Sequence, residues 1–216
     1  MNNILESFNK IKSNIHSLQP TKPVNIVAIS KTFTLDHIKP LIDFGHTHFG
    51  ENKVQEAIEK WSKIKKENLK IKLHMIGKLQ TNKVKFAVKI FDYIHSVDSY
   101  KLAKKISIEQ KKINKDLKLF IQINIGSEDQ KNGIEINEVE NFLKICTKDL
   151  NLCIIGIMCI PPNDSETEKY FSEMFEIKKK LSLDDLSMGM SNDYMSAIKF
   201  GSTFVRIGSK IFGQRN

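Results

Sequence analysis

The chain has 216 residues, enough for one large domain or two small ones, and 40% of them are hydrophobic, which suits a sizeable core and excludes a disordered or collagen-like chain. Its 34 Lys and Arg against 25 Asp and Glu leave a net charge of +9, but only Arg206 and Arg215 are arginines and the lysines are spread along the whole length, so no nucleic-acid partner is expected. Cys146, Cys153 and Cys159 form no C-x-x-C, the N-terminus has no signal-type apolar core, and no apolar run nears the roughly 20 residues of a membrane span, so the expected setting is a reducing cytoplasm with no membrane partner.

Residues 2–18 place Ile4, Leu5, Phe8, Ile11, Ile15 and Leu18 at helical spacing, an amphipathic lead helix ended by Pro20 and Pro23. An alternation follows. Strands are expected at 25–30, 47–52, 71–77, 93–98, 117–125, 152–160, 185–191 and 203–208, and helices at 35–44, 53–66, 82–91, 100–113, 137–148, 165–181 and 194–200, then a short tail. Alternating strands and helices imply a parallel sheet with right-handed crossovers. Eight strands close naturally into a (β/α)8 TIM-type barrel, here a single α/β domain over 1–216 whose extra N-terminal helix covers the side left after the last strand. The runner-up, an open doubly wound sheet, would want a Gly-rich turn after the first strand, where S-K-T-F-T has none.

Function in such barrels collects at the C-terminal strand ends. Those ends carry Lys31; Gly50, Glu51 and Asn52; His74 and Gly77; Asp98; Asn124; Ser191; and Arg206, Gly208 and Ser209. Lys31 follows the buried run Ile26–Ile29 and has two readings. It is a rim lysine with its head in water, or an amine that attacks a carbonyl to form a Schiff base. Pyridoxal phosphate is the common biological aldehyde for the second. That cofactor needs a phosphate cradle and a partner for its ring nitrogen. Ser191, before a helix, and Gly208 with Ser209, after the last strand, sit where these barrels hold phosphate. Arg206 is either a structural salt bridge or a planar, always-charged donor to the ring nitrogen. His46 and His48 raise a metal or phosphosugar barrel as a third class, without a carboxylate-rich companion set. His74 reads as a core histidine, Asp98 as a cap for the next helix, and Lys131 as either an attractor of the anionic cofactor or a solvated loop lysine.

The pieces V-A-I-S-K-T, F-G-E-N-K-V-Q-E, H-M-I-G-K-L-Q-T-N-K, I-Q-I-N-I, K-N-G-I, G-I-M-C-I-P, L-S-M-G-M-S-N-D and G-S-T-F-V-R-I-G-S-K-I-F-G occur in order from about residue 25 to 213. Together they resemble the YggS/PROSC family of pyridoxal phosphate homeostasis proteins, related in fold to the N-terminal barrel of alanine racemase. The resemblance implies that Lys31 carries the cofactor, that Ser191, Gly208 and Ser209 hold its phosphate, that Arg206 faces the pyridine nitrogen, and that Asn52 lies nearby. The run after S-K-T lacks a proline common in relatives, Tyr194-Met195 stand where an acidic residue is usual, and Ser209 stands where Thr is often found.

A racemase adds a second domain that supplies an acid/base tyrosine. This chain stops soon after the eighth strand, and of Tyr93, Tyr100, Tyr170 and Tyr194 only the last lies near a proposed anchor, with helix packing as its other reading. The expectation is therefore a monomeric cofactor carrier that buffers pyridoxal phosphate or delivers it to apo-enzymes, without robust catalysis. The alternative is a slow amino-acid racemase or related enzyme.

Overall fold

The computed structural model describes residues 3–126, 132–162, 164 and 166–214. Eight strands, β1 Asn25–Ile29, β2 His48–Glu51, β3 Lys72–Met75, β4 Tyr93–Val97, β5 Lys118–Ile123, β6 Ile154–Cys159, β7 Asp185–Ser187 and β8 Phe204–Ile207, close into one parallel barrel in chain order. Closure is made where β8 pairs with β1, Val27 opposite Arg206 and Ala28 opposite Ile207. The helices are α1 Asn3–Ser17, α2 Leu35–Asp43, α3 Val54–Glu67, α4 Val84–Ile90, α5 Tyr100–Lys112, α6 Val139–Lys144, α7 Thr167–Lys180, α8 Tyr194–Lys199 and α9 Ser209–Phe212.

The strand period of two divides each strand between two cores. Ile26, Ala28, Phe49 and Leu73 face outward to the helices, in the large core that includes Trp61 and Phe171. Val27, Ile29, Tyr93, Phe120, Met158 and Phe204 fill the barrel interior. The lead helix α1 buries Ile4, Phe8, Ile11 and Ile15 and packs against α2, α8 and α9, over the seam between β8 and β1 as expected. No helix among the described residues is long and apolar enough to cross a membrane.

Several expectations shift for local reasons. The seventh strand ends at Ser187, because Gly189 takes φ +89° and its carbonyl turns to accept the Arg206 N–H at 3.0 Å. Residues 145–148, expected as the end of an α-helix, belong to a π-type turn that follows α6 and runs to Asp149. The tail contains a further short helix, α9. Asp98 does not cap α5. Ser99 does, its hydroxyl accepting the Leu102 N–H at 3.4 Å, which fits the preference for serine at that position.

Candidate functional site

Barrel closure gathers the proposed anchors at one end. Lys31 lies in the turn just past β1, whose Val27 and Ile29 face the barrel interior, and is partly buried. Ile29 pairs with Gly50 and the Ser30 N–H donates to the Gly50 carbonyl at 3.0 Å; Lys31 and Asn52 follow where the neighbouring strands β1 and β2 end. Asn52 presents a buried Oδ1 with no hydrogen-bond partner among the described residues. A Cβ at Gly77 would stand 2.6 Å from the Asn52 carbonyl oxygen, so glycine there lets the Asn52 backbone seat on the end of β3.

Across the seam, the Ser191 hydroxyl accepts the N–H groups of Gly208 at 3.3 Å and Lys210 at 3.4 Å. Two backbone donors from the turn after β8 thus converge on one oxygen, the geometry an anionic oxygen would use. Ser209 begins α9 and is exposed. Asp193 holds the preceding turn by accepting the Met190 N–H at 2.5 Å.

Arg206 is 4% exposed. Its Nη1 donates to the Ser187 carbonyl at 2.7 Å and to Ser187 Oγ at 2.8 Å, and its Nη2 donates to the Cys159 carbonyl at 2.9 Å. Arg206 makes no salt bridge among the described residues, which removes the structural ion-pair reading. A guanidinium has five N–H donors, and these three hydrogen bonds leave Nε–H and one Nη2–H uncommitted among the described residues.

Below Arg206 runs a file of imidazoles. His95 Nδ1 lies 2.8 Å from Ser187 Oγ, His74 Nδ1 lies 2.9 Å from His95 Nε2, and His48 Nδ1 lies 2.9 Å from His74 Nε2. Because Gly50 pairs with His74, and His74 with Tyr93, each histidine stands two residues further along its strand than the one before. The stagger of a closed barrel turns three neighbouring strands into steps. His74 stacks on Tyr93 at 4.1 Å and His95 on Phe120 at 4.3 Å. Ser187 Oγ accepts from Arg206, and one tautomer set that satisfies the file puts the Ser187 proton on His95 Nδ1. Each histidine then donates through Nε2 to the next Nδ1, and the lone-pair side of every ring faces the guanidinium, the favourable dipole direction. Burial holds His74 and His95 well below the ordinary imidazole range, with the Arg206 charge adding to the effect on His95. The core-histidine reading of His74 holds. The file ends at His48, which borders a cavity of about 900 Å³ at the far end of the barrel, beneath α1.

His46 and His48 do not form a pair. His46 precedes β2, and its Nε2 bonds the His48 carbonyl at 2.8 Å, while the His48 ring turns inward to His74. No cluster of three or more potential metal ligands occurs among the described residues. Tyr194 is 2% exposed and its hydroxyl accepts from Asn14 Nδ2 at 3.0 Å, so it packs against α1. Lys131 lies outside the described residues.

Sequence reasoning missed a second network, on the outer side of the wall behind Lys31. Glu51 is fully buried, and its Oε1 accepts from Ser30 Oγ at 2.8 Å, Trp61 Nε1 at 2.9 Å and Lys60 Nζ at 3.0 Å. Lys60 Nζ also donates to the Ser30 carbonyl at 2.9 Å and to Glu56 Oε1 at 3.0 Å, and that same Glu56 oxygen accepts the Thr32 N–H at 2.6 Å. Burial pushes the Glu51 carboxyl up, against the lowering effect of its three hydrogen-bond donors. Thr32 sits at φ +70°, a left-handed conformation that costs a β-branched residue about 1–3 kcal/mol. The i, i+4 spacing of Glu56 and Lys60 was the available signal.

A closed eight-stranded parallel barrel with a lysine past β1 and an arginine on β8 defines a class, and comparison agrees. The chain matches the family described as alanine racemase, N-terminal domain, over residues 7–216. Within that class, it belongs to the family of pyridoxal phosphate homeostasis proteins. It is 38% identical over 228 residues to the protein of that name from Pasteurella multocida, covering 99% of this chain and 98% of the relative. It is 31% identical over 234 residues to that of Escherichia coli K12, covering 100% and 98%. Among solved structures it is similar to PipY of Synechococcus elongatus with pyridoxal phosphate bound, at TM-score 0.81 and 32% identity over 93% of this chain and 99% of that one. An alanine racemase from Clostridium difficile shares the fold at TM-score 0.75 and 16% identity, with 100% of this chain matching 57% of that one.

Proposed function

We propose that this chain binds pyridoxal 5′-phosphate at the C-terminal rim of its barrel and serves intracellular homeostasis of that cofactor, buffering it or delivering it to apo-enzymes, without robust turnover. One observation carries the reading: a buried guanidinium at the rim with, among the described residues, no carboxylate partner and two uncommitted donors. The residues present fit the group. Lys31 supplies the amine for a covalent link, the donors at Gly208 and Lys210 with the Ser191 and Ser209 hydroxyls suit the phosphate, Arg206 suits the ring nitrogen, and Asn52 offers a buried acceptor beside them. The names and the bound structure among the relatives support the same ligand.

When bound, the cofactor supplies an aldehyde that links reversibly to amines. The chain's own residues determine what else happens. Arg206 is a permanent donor with no acceptor lone pair for a protonated ring nitrogen, so it would donate to that nitrogen's lone pair and favour the unprotonated ring, which withdraws electrons weakly. Proton transfer on a substrate needs a positioned acid and base. The tyrosine nearest the anchors, Tyr194, is turned to Asn14 on α1. All the proposed anchors come from one chain, and we expect the monomer to bind in a reducing cytoplasm, where its free cysteines stay reduced.

The test is an absorbance spectrum of cofactor-loaded protein before and after borohydride reduction, with the modified residue mapped by mass. A reduced adduct on Lys31 is expected; an adduct elsewhere overturns the reading. Incubation with L-amino acids in deuterated buffer should give no useful exchange of the α-proton, and rapid exchange would restore the racemase alternative.

A further inference from the structure

We propose that Lys60 and Glu56 are positioning residues for Lys31: with Glu51 they clamp the peptides on both sides of Lys31 and so aim its amine. The inference rests on the reading that Lys31 carries the cofactor. It concerns groups that lie outside the sheet, where α3 packs on β2 and Lys60 reaches the Ser30 carbonyl just past β1.

The clamp grips each flank separately. On the near side, the Ser30 hydroxyl is tied to Glu51 and the Ser30 carbonyl to Lys60. On the far side, the Thr32 N–H is tied to Glu56. Lys60 joins the two halves. Its ammonium has three donors, and three acceptors surround it: the Ser30 carbonyl, Glu51 Oε1 and Glu56 Oε1, at 2.9, 3.0 and 3.0 Å. The Lys60 side chain is 9% exposed and that of Glu51 0%, so solvent screens the link little. The grip also explains how Thr32 stays left-handed. That conformation persists only where surroundings over-determine it, and here the Glu56 bond and the turn from Phe33 N–H to the Ser30 carbonyl at 3.2 Å do so.

The consequence falls on the bond to the cofactor. An amine condenses with an aldehyde, with loss of water, only from an aligned approach, and small misplacements of a reacting group are expensive. If Thr32 relaxes from φ +70°, the direction of the neighbouring Lys31 side chain changes, while the phosphate and ring-nitrogen anchors on β7 and β8 are untouched.

That separation gives the experiment. Full-length protein is titrated with pyridoxal 5′-phosphate and with pyridoxamine 5′-phosphate, which keeps the ring and phosphate but has an amine where the aldehyde was and cannot link to Lys31. Lys60→Met and Glu56→Ala should weaken pyridoxal 5′-phosphate binding about ten-fold or more and leave pyridoxamine 5′-phosphate within about two-fold. Glu56→Gln, which keeps an acceptor oxygen for Thr32, should recover most of the loss. Glu56 is partly exposed, so its variants keep the question answerable if Lys60→Met does not fold. Equal weakening of both ligands, or no change in either, overturns the clamp. Lys31→Ala separates the two readings: if it leaves pyridoxal 5′-phosphate binding intact, the assignment of Lys31 fails; if it weakens binding while the Glu56 variants do not, only the clamp fails.

Discussion

Outside the barrel wall, an ion pair of Lys60 with Glu51 is buried and is joined by the partly exposed Glu56; inside it, burial disfavours the charged form of His48, His74 and His95, which end on the Ser187 hydroxyl. The outer network must hold a backbone in a conformation it would leave, and charged hydrogen bonds are the stronger kind. The inner network needs only to fill a polar file through an apolar interior beneath Arg206, and neutral imidazoles do so with smaller desolvation. The difference teaches that the charge state of a buried network follows what it must hold. It also makes the two networks fail differently.

The largest expected effect is in the outer one. Lys60→Met leaves the buried Glu51 carboxyl without its cation, and breaking a buried pair in this way costs about 3–5 kcal/mol. Adding Glu51→Gln should recover much of it, since the uncompensated charge is then gone. Denaturant unfolding followed by fluorescence of Trp61, whose indole N–H donates to Glu51, reads both. A single-variant loss below about 1 kcal/mol would mean that the network is not ionic.

Acid should act next on the histidines shielded by burial: His46, whose ring packs on Phe8 and Phe49 in the outer core, and the file inside the barrel. Burial, the main cause, lowers His46 from its ordinary 6.5 to about 4, lowers His48, and lowers His74 and His95 further. Between the unfolded and folded values the unfolded chain binds more protons, so each histidine's contribution is complete above pH 6.5 and is lost as pH falls toward its folded value. For His46 the full loss is about 3.5 kcal/mol, from about 1.4 kcal/mol per pH unit over the fall from 6.5 to about 4. Glu51, Asp98 and Asp185, raised by burial, act oppositely, so the informative quantity is the difference between wild type and His46→Phe. The slope of stability between pH 6.5 and 4 should flatten in the variant, and an unchanged slope would show that His46 is charged in the native state.

How far each network was legible follows from how it is built. The eight strands read directly because buried parallel strands are continuous apolar runs. The residues proposed as anchors, Lys31, Asn52, Ser191, Arg206, Gly208 and Ser209, could be nominated because a barrel assigns its strand ends to one face, although Ser191 lies in the turn past β7. Lys60 did not stand out, because one ammonium among many helix lysines looks solvated until packing buries it. His48 was seen only beside its chain neighbour His46, and His95 was not singled out. The file joins residues more than 20 positions apart through barrel stagger, which no local spacing encodes. The end of the seventh strand was missed because M-G-M-S alternates like a strand and only the turn at Gly189 breaks it.

Breaking the file in its middle should cost less than breaking the clamp. His74→Phe keeps the ring stack on Tyr93 but leaves His95 Nε2–H and His48 Nδ1 without their partner. One unsatisfied buried group costs about 1–3 kcal/mol, and His48, bordering the basal cavity, can turn to water, so a loss near the lower half of that range is expected. A loss as large as that of Lys60→Met would mean the file carries a charge.

The smallest effect tests the assignment of Tyr194. Its hydroxyl makes one hydrogen bond, from Asn14 Nδ2 at 3.0 Å, linking α8 to α1. Removing both partners' interaction without opening a cavity costs about 0.5–1.5 kcal/mol, so Tyr194→Phe should lower the unfolding midpoint slightly. Because the ring stays packed and the hydroxyl points away from the rim, affinity for pyridoxal 5′-phosphate should not change. A drop in affinity, measured by the same titration, would place Tyr194 at the cofactor and revive a role for it in proton transfer. An unchanged affinity with a lowered midpoint fixes it as a strut between the lead helix and the wall, on the opposite side of β8 from Arg206.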